Sequence, residues 1–194
     1  MSNSVEATYT DDNGDIWTMS TAVWADRFWA QSCFVDNGFH QKQADTNRLI
    51  NKSTAQSHWP LAEGVIQWLF VIYRKNGIRV ALNTGQYSFL DGVKHYAAVT
   101  SIVSSEFQRQ GIYSGPMQII SYAWVRNYVD IDTMTATILG SAAPVTTAIA
   151  TEVGATEVPA ERGLSVVDGQ EKRKYHMLAS SIPIPTQTVT FTIT

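Results

Sequence analysis

Residues 96–126 constrain the fold of this chain most, because they change from a strand pattern to a helix pattern across a short polar turn. Residues 96–103 are uncharged, free of proline and rich in β-branched and aromatic residues, which is typical of a buried strand. From Ser114 onward, apolar residues recur at spacings of three and four, which predicts a helix with one apolar face. Pro116 falls in the first turn of that helix, where a missing N–H group does no harm.

The turn between these two elements, residues 104–111, has the features of an anion-binding loop. The N–H groups in the first turn of a helix lack partners, and the helix dipole makes that end positive, so a strand leading into a helix often binds phosphate there. Arg109 adds a positive charge beside the turn. A simpler interpretation fits the same pattern, in which Gly111 only permits a tight connection between strand and helix.

One segment of this turn resembles the pyrophosphate loop of the GCN5-related N-acetyltransferase family, whose pattern is Q/R-x-x-G-x-G/A. It consists of Gln108, Arg109, Gln110, Gly111, Ile112, Tyr113 and Ser114. The preceding Ser101, Ile102 and Val103 resemble the end of that family's fourth strand. A looser similarity covers residues 65–179. Tyr113 departs from the pattern, since a small residue is usual at its position.

The resemblance implies an α+β fold with a single domain over residues 1–180 and a β-prone tail over residues 181–194. Its central sheet is expected to be mixed but mostly antiparallel, splayed between strands 4 and 5, and flanked by helices. The family transfers an acetyl group from acetyl-coenzyme A to an amine. The resemblance implies that backbone groups of residues 101–103 hold the thioester arm, while the N–H groups of residues 108–114 hold the pyrophosphate.

The residues that would move protons depart from the family pattern. Glu106, His95 and Tyr96 are the candidates for a general base near the site, and Glu106 is the residue expected in the loop. The usual acid is a tyrosine on the helix after the fifth strand, and Ala150 stands at that position. Tyr122 and Tyr175 are the hydroxyls that would substitute. We take Glu106 and Tyr122 as the catalytic candidates.

Composition narrows the class of protein. A chain of 194 residues with 44% hydrophobic and 16% charged residues is globular and fits one domain. The net charge of −3 predicts no attraction to nucleic acid or to an anionic membrane. Cys33 is the only cysteine and the four histidines are scattered, so no disulfide within the chain and no metal site is expected. The first residues lack a signal peptide and the longest apolar run is too short to cross a bilayer, so we expect a cytoplasmic protein.

Periodicity and turn residues predict the remaining elements. In chain order they are a polar, turn-rich segment over 1–15, a short strand over 16–19, a helix over 22–35, a short exposed helix and loop over 41–57, a strand over 65–73, a hairpin turn at Asn76-Gly77, its partner strand, a turn at Asp91-Gly92, a strand over 133–139, a helix from Ser141 to Gly154, strands over 156–159 and 174–178, and a charged loop over 162–173.

Two questions stay open at the level of sequence. The tail residues 188–194 alternate threonine with Val, Phe and Ile, which fits an extra edge strand on the same sheet or a strand added to a partner subunit in a homo-oligomer or assembly. The chain is then either an N-acetyltransferase acting on a small-molecule or peptide amine, or a binding or assembly protein of the same fold with catalysis lost. Phage- or virion-associated proteins are one setting for the second alternative.

Overall fold

The computed structural model describes residues 5–55, 63–127, 130–139, 148, 150–157, 165–167 and 170–193. Within these residues the strands are β1 (Val5–Thr10), β2 (Ile16–Thr21), β3 (Ile66–Lys75), β4 (Ile78–Leu90), β5 (Val93–Val103), β6 (Thr133–Leu139), β7 (Thr156–Glu157), β8 (Ser165–Val167), β9 (Gln170–Leu178) and β10 (Thr190–Ile193). The helices are α1 (Arg27–Asp36), α2 (His40–Ala55) and α3 (Gln118–Asn127). A π-helical turn, Tyr113–Met117, leads directly into α3.

The strands form one sheet in the order β10-β1-β2-β3-β4-β5-β6-β9-β7, with β8 paired to β9. Neighbouring strands are antiparallel except β5 and β6, which are parallel. Helices lie on both faces of the sheet, so the expected mixed, mostly antiparallel sheet flanked by helices is confirmed.

Two tight turns set the register of the central strands. Asn76 and Gly77 have φ angles of 49° and 81°, and Asp91 and Gly92 have φ angles of 51° and 74°. Two consecutive positive φ angles match the turn whose twist suits a two-residue hairpin, which is why Asn-Gly and Asp-Gly are favoured there. Both predicted turns therefore join β3 to β4 and β4 to β5.

The sheet opens between β5 and β6. These two strands pair over only four positions, from His95–Thr133 to Ala98–Ala136. Beyond that point β5 continues to Val103 against β4, while β6 continues to Leu139 against β9. β5 and β6 are the strands of the predicted splay, because β1 is an additional N-terminal strand. The Ala98–Ala136 pair is the vertex of the opening.

Alternation along β3 divides the core between the two faces. Leu69, Val71 and Tyr73 pack in one cluster with residues of α3. Phe70 and Ile72 pack in the other with residues of α1 and α2. The near-continuous apolar run of β3 is thus explained, because both faces of this strand are covered.

Three predicted segments differ in the structure. Residues 5–10 belong to the predicted polar segment but form β1, because Ala7 and Tyr9 alternate inward and the polar residues take the other face. Helix α2 is neither short nor fully exposed: it spans 16 residues and buries four side chains, and Ser53 Oγ accepts a hydrogen bond from the Phe70 N–H at 3.0 Å. The predicted charged loop over 162–173 instead contains β8 and the start of β9.

Other predicted segments lie partly outside the described residues. The helix start expected at Ser141, with Pro144 in its first turn, lies outside them, as does the strand end at Pro159. Residues 148 and 150–152 are helical, and Gly154 follows them with a φ of 63°, as expected for a glycine that ends a helix. In the tail, β10 pairs with β1 of the same chain, from Val5–Ile193 to Thr8–Thr190. The tail is therefore an edge strand on its own sheet.

Candidate functional site

A cavity of about 90 Å³ lies between the sheet and α3, and it reaches the vertex of the splay. At the vertex its wall is made of small side chains: Ala98 of β5, Ala136 of β6 and Ala150 of the following helix. Tyr175 of β9, the register partner of Ala136, completes this part of the wall. Alanines at the opening leave room for a ligand that enters between the two strands.

Hydroxyl and amide groups bring polarity to an otherwise apolar wall. Tyr96 Oη donates to Asn83 Oδ1 at 3.0 Å, and Asn83 Nδ2 donates to Ser101 Oγ at 2.6 Å. On the α3 side, the Tyr73 and Ser121 hydroxyls share a hydrogen bond of 2.9 Å. These groups line the cavity from β3, β4, β5 and α3.

Four tyrosines of this wall, Tyr73, Tyr96, Tyr113 and Tyr122, are neutral hydroxyls at physiological pH. Burial raises the pKa of Tyr73 to about 12, and it raises the pKa of Tyr96 further. Burial and the nearby Glu152 charge raise the pKa of Tyr122 to about 12, and burial also raises the pKa of Tyr113. These tyrosines can donate hydrogen bonds or protons to a ligand, but none of them is a phenolate in the resting protein.

The loop before α3 presents its backbone N–H groups. Within the described part of the chain, no residue accepts a hydrogen bond from the amide N–H groups of residues 109–114. The N–H groups of Gly115 and Met117 turn back to the carbonyls of Gly111 and Ile112, at 2.9 and 3.1 Å. Arg109 and Gly111 have φ angles of 62° and 73°, which shape the loop. Such a row of unsatisfied donors at a helix start suits a phosphate group.

Side chains of the loop hold it against the rest of the domain. Gln108 Nε2 donates to Asn37 Oδ1 at 3.0 Å and to the Val103 carbonyl at 3.3 Å. Gln110 Nε2 donates to the Glu106 carbonyl at 3.1 Å. The loop conformation is thus supported from β5 and from the end of α1, so its N–H groups have a fixed arrangement.

The structure brings together most of the residues that the resemblance selected. The predicted thioester strand, residues 101–103, lies beyond the vertex and, among the described residues, pairs with β4 on one side only. Ser101 lines the cavity, whereas the side chain of Ile102 packs toward α1 and α2. The loop follows this strand directly, so the two predicted cofactor contacts are continuous.

The two catalytic candidates lie in different places. Tyr122 is on α3 and lines the cavity. Glu106 is exposed in the short 3₁₀ turn Ser105–Phe107 and is not part of the cavity wall. Sequence reasoning missed Tyr73, Asn83 and Ser121, because only the packing of α3 on β3 and β4 brings their side chains to one wall.

A histidine pair lies on the opposite face of the sheet from the cavity. His95 Nδ1 is 2.8 Å from Thr133 Oγ1, and its Nε2 is 3.1 Å from Thr135 Oγ1. Its ring stacks on His176 with 6.3 Å between centroids. Burial and the proximity of His176 lower the pKa of His95, so it is neutral at physiological pH.

The described residues contain neither a candidate metal site nor a candidate membrane-spanning helix. None of them form a group of three or more His, Cys, Asp or Glu side chains that would hold a metal ion. No helix among them is long and apolar enough to span a membrane.

Compared by sequence, the chain matches no protein-family model and no curated protein. Compared by structure, it is similar to several acetyltransferases. A spermidine N-acetyltransferase from Vibrio cholerae aligns with a TM-score of 0.58 and 10% identity, over 86% of this chain and 95% of that one. The ribosomal-protein-S18-alanine N-acetyltransferase from Escherichia coli aligns with a TM-score of 0.57 and 16% identity, over 84% and 94% of the two chains.

A third structure, the ribosomal L7/L12 alpha-N-protein acetyltransferase in complex with coenzyme A, aligns with a TM-score of 0.57 and 12% identity, over 85% of this chain and 95% of that one. Three acetyltransferases whose names give different acceptors thus share the overall fold of this chain. The resemblance drawn from the loop sequence is confirmed at the level of the fold. The chain has the fold of the GCN5-related N-acetyltransferases.

Proposed function

We propose that this protein is an acetyl-coenzyme A-dependent N-acetyltransferase. The observation that carries the proposal is the row of N–H groups at residues 109–114, placed directly after the strand that borders the splay. Coenzyme A offers a pyrophosphate for these donors and a long arm that ends in a thioester. The open edge of β5 and the cavity at the vertex suit that arm.

Each predicted cofactor residue has a role in this proposal. Ser101, Ile102 and Val103 contact the arm through their backbone, and the thioester carbonyl accepts a hydrogen bond from this edge. Such a bond strengthens as negative charge develops on the oxygen when an amine attacks. The N–H groups of the loop, with Arg109, hold the pyrophosphate. Ser114 lies in the π-helical turn that leads into α3, and the positive end of this helical segment points at the same group.

The acceptor in the proposal is an amine. The structural neighbours named above acetylate spermidine and ribosomal proteins, which supports an amine acceptor without choosing between a small molecule and a protein. Tyr122 faces the cavity and is a candidate proton donor. Glu106, exposed at the rim of the loop, would act on the acceptor only through water. Since β10 pairs within its own chain, the tail gives no support to an assembly function.

Ligand binding tests the proposal directly. Acetyl-coenzyme A at a hundredfold excess over its dissociation constant should stabilise the native state by about 2.7 kcal/mol. In a chain of this length that corresponds to a rise in Tm of roughly 5–11 °C. Gly111→Asp should abolish the rise, because it adds a negative charge and a side chain where the phosphate would lie.

The matched control for Gly111→Asp is Gly92→Asp. Both glycines have nearly the same φ, 73° and 74°, and no atom lies within 4 Å of a Cβ added at either. The two variants therefore carry the same backbone strain, and only Gly111 lies in the loop. Binding that survives Gly111→Asp, or that is lost equally in Gly92→Asp, would contradict the placement of the pyrophosphate. Release of the coenzyme A thiol with a panel of amines then tests transfer.

A further inference from the structure

A thioester of coenzyme A can carry acyl chains of many lengths, and the cavity behind the vertex bears on which of them this site binds. We infer that the donor site takes a short hydrocarbon chain of about four carbons and binds it more tightly than acetyl. This inference rests on the proposed function and adds the class of acyl donor to it. It is drawn from the position, the polarity and the volume of the cavity.

The paired strands force a longer acyl chain out of the plane of the sheet. The arm of coenzyme A, held as proposed by the loop and by residues 101–103, runs along the open edge of β5 toward Ala98. At the Ala98–Ala136 pair the opening ends, because β5 and β6 are paired from there back to His95–Thr133. Any acyl carbon beyond the thioester carbonyl must therefore turn onto one face of the sheet.

The two faces of the sheet differ in polarity at this point. One face carries the ring of His95, which has two threonine hydroxyls within hydrogen-bond distance. The other face is the cavity. Residues two apart on a strand share a face, so Met134 follows Ala136 on the cavity side, where it pairs with Met177 of β9. A hydrocarbon chain is thus accommodated on the cavity face, and the polar face is left to the amine.

Methionine side chains give the cavity wall the ability to adapt to a chain. Four of the five methionines of the protein line it: Met19, Met117, Met134 and Met177. Methionine is unbranched and polarizable, so it packs against apolar groups of varied shape. These four residues come from β2, the turn before α3, β6 and β9, so the adaptable surface surrounds the cavity from several elements.

Charge argues against the amine as the occupant of the cavity. Among the described residues, no aspartate, glutamate, lysine or arginine side chain lines it. Glu152, whose charge acts on Tyr122, is exposed and is not part of the wall. An ammonium group that entered would lose its hydration without gaining a carboxylate, whereas an acyl chain is neutral and loses nothing of the kind.

The volume of the cavity sets the length of the chain. A methylene group is about as large as a water molecule, whose share of liquid volume is about 30 Å³. The cavity of about 90 Å³ therefore holds about three methyl or methylene groups. With the carbonyl carbon at the vertex, the acyl group has about four carbons, as in butyryl. Each methylene that leaves water for this cavity should raise affinity about fourfold.

The transfer step keeps the same balance with a longer chain. The amine nitrogen forms a bond to the carbonyl carbon, and the electron pair of the breaking C–S bond goes to sulfur. The proton lost by the nitrogen reaches the sulfur through solvent. The products are a butyryl amide and the free thiol of coenzyme A.

A series of thioesters tests the inference on the wild-type protein. Calorimetry without an amine measures the affinity for coenzyme A and for its acetyl, propionyl, butyryl, hexanoyl and octanoyl thioesters. Butyryl should bind about 15-fold more tightly than acetyl, because two methylenes are added inside the cavity. Hexanoyl and octanoyl should gain less than about twofold over butyryl, because the cavity is then full. Gly111→Asp should weaken the whole series by one common factor, since it acts on the pyrophosphate.

Variants of the wall link the chain-length preference to the cavity. Met134→Ala enlarges the space beside the vertex, so hexanoyl should then bind about 15-fold more tightly than butyryl. Ala150→Val fills part of the space and should reduce the advantage of butyryl over acetyl to less than about fourfold. Leu49→Ala is the control, because it opens space in the core cluster on the other face and should leave the preference unchanged. If Met134→Ala unfolds, the wild-type series and Ala150→Val still decide the question.

The outcomes separate this inference from the proposed function. Equal affinity for acetyl and butyryl, or weaker binding of butyryl, would overturn the inference and leave the transferase function standing. A gain that continues unchanged to octanoyl would also overturn it, because the chain would then lie on an open surface. If neither coenzyme A nor any thioester binds, the proposed function itself fails, and the chain-length inference fails with it.

Discussion

Gly85→Ala is a sharp test of how the wall of the cavity is built. Gly85 lies on β4 at the register shift between β4 and β5, opposite Ala98. A Cβ added to it would lie 2.6 Å from Tyr96 Cζ and closer still to Cε2 and Oη. Real Cβ atoms do not approach other atoms this closely, so either the Tyr96 ring or the β4 backbone must move.

The Tyr96 ring has little freedom to move. It is 4% exposed, and its centroid lies 4.7 Å from that of Tyr87 and 5.8 Å from that of Trp124. Its hydroxyl donates to Asn83. Overpacking of this kind costs about 1–3 kcal/mol. Displacement of the Tyr96 hydroxyl would leave a buried hydrogen-bond donor without its acceptor, which costs about 1–3 kcal/mol more. Replacing a strand glycine returns about 0.5–1 kcal/mol. The net loss of unfolding free energy should be about 3 kcal/mol.

Chemical and thermal unfolding measure this loss. For a chain of this length, about 3 kcal/mol corresponds to a fall in Tm of about 10 °C. Gly115→Ala is the matched control, because no atom lies within 4 Å of its added Cβ and its φ is not in the left-handed region. We expect that control to change stability by less than about 1 kcal/mol.

A double-variant cycle identifies the clash itself. In a Tyr96→Ala background, Gly85→Ala should cost less than about 1 kcal/mol, which gives a coupling energy of about 2–3 kcal/mol. An unchanged unfolding midpoint in Gly85→Ala, or a loss of the same size with and without the Tyr96 ring, would refute the reasoning.

Three further predictions concern ionisable groups. Burial alone would raise the pKa of Asp26, but hydrogen bonds from Val23 and Arg79 and the charges of Arg74 and Arg79 outweigh it, so the pKa is lowered. Asp26→Asn should therefore reduce the free energy of unfolding by about 3 kcal/mol in denaturant titrations at pH 7. A reduction under about 1 kcal/mol would show that the two arginines do not need a negative charge beside them. Because the pKa of His95 is lowered in the folded protein, the unfolded chain binds more protons than the folded one below about pH 6.5. The free energy of unfolding should therefore fall between pH 7 and pH 5, and His95→Gln should reduce this pH dependence. An equal pH dependence in the variant would exclude His95 as its source. Burial raises the pKa of the Cys33 thiol to about 12, so iodoacetamide should modify it at least about 100-fold more slowly in the native protein than in urea, and equal rates would contradict its burial.

Local chemistry determined the parts of this fold that the sequence predicts well. The hairpins at Asn76-Gly77 and Asp91-Gly92 follow from residues that accept positive φ, and α3 follows from its apolar spacing. β1 and α2 were harder, because each buries few apolar residues and relies on partners elsewhere. In α2 a serine hydroxyl, Ser53, accepts a hydrogen bond from the backbone of β3, which no helical period reveals.

The candidate site likewise has one part that is local in sequence and one part that is formed by residues far apart in the chain. The loop of residues 108–114 is local in sequence, so a short motif is enough to propose it as a binding site. The cavity wall is not local: Tyr175 reaches Ala136 across 39 positions of sequence, and only the antiparallel register of β6 and β9 brings them together. Spacing along the chain therefore offers no way to foresee that Tyr122 and Tyr175 line the same cavity.

Tyr113 shows what the loop motif requires. A small residue is usual at this position, and a bulky side chain directed at the phosphate would block it. In this chain the ring of Tyr113 is turned inward and lines the cavity with Met117 and Tyr122. Its backbone stays in the π-helical turn, and the N–H groups of the loop still lack acceptors among the described residues. Under the proposed function, a tyrosine at position 113 is therefore compatible with phosphate binding, because its side chain is directed into the interior and leaves the loop N–H groups uncovered.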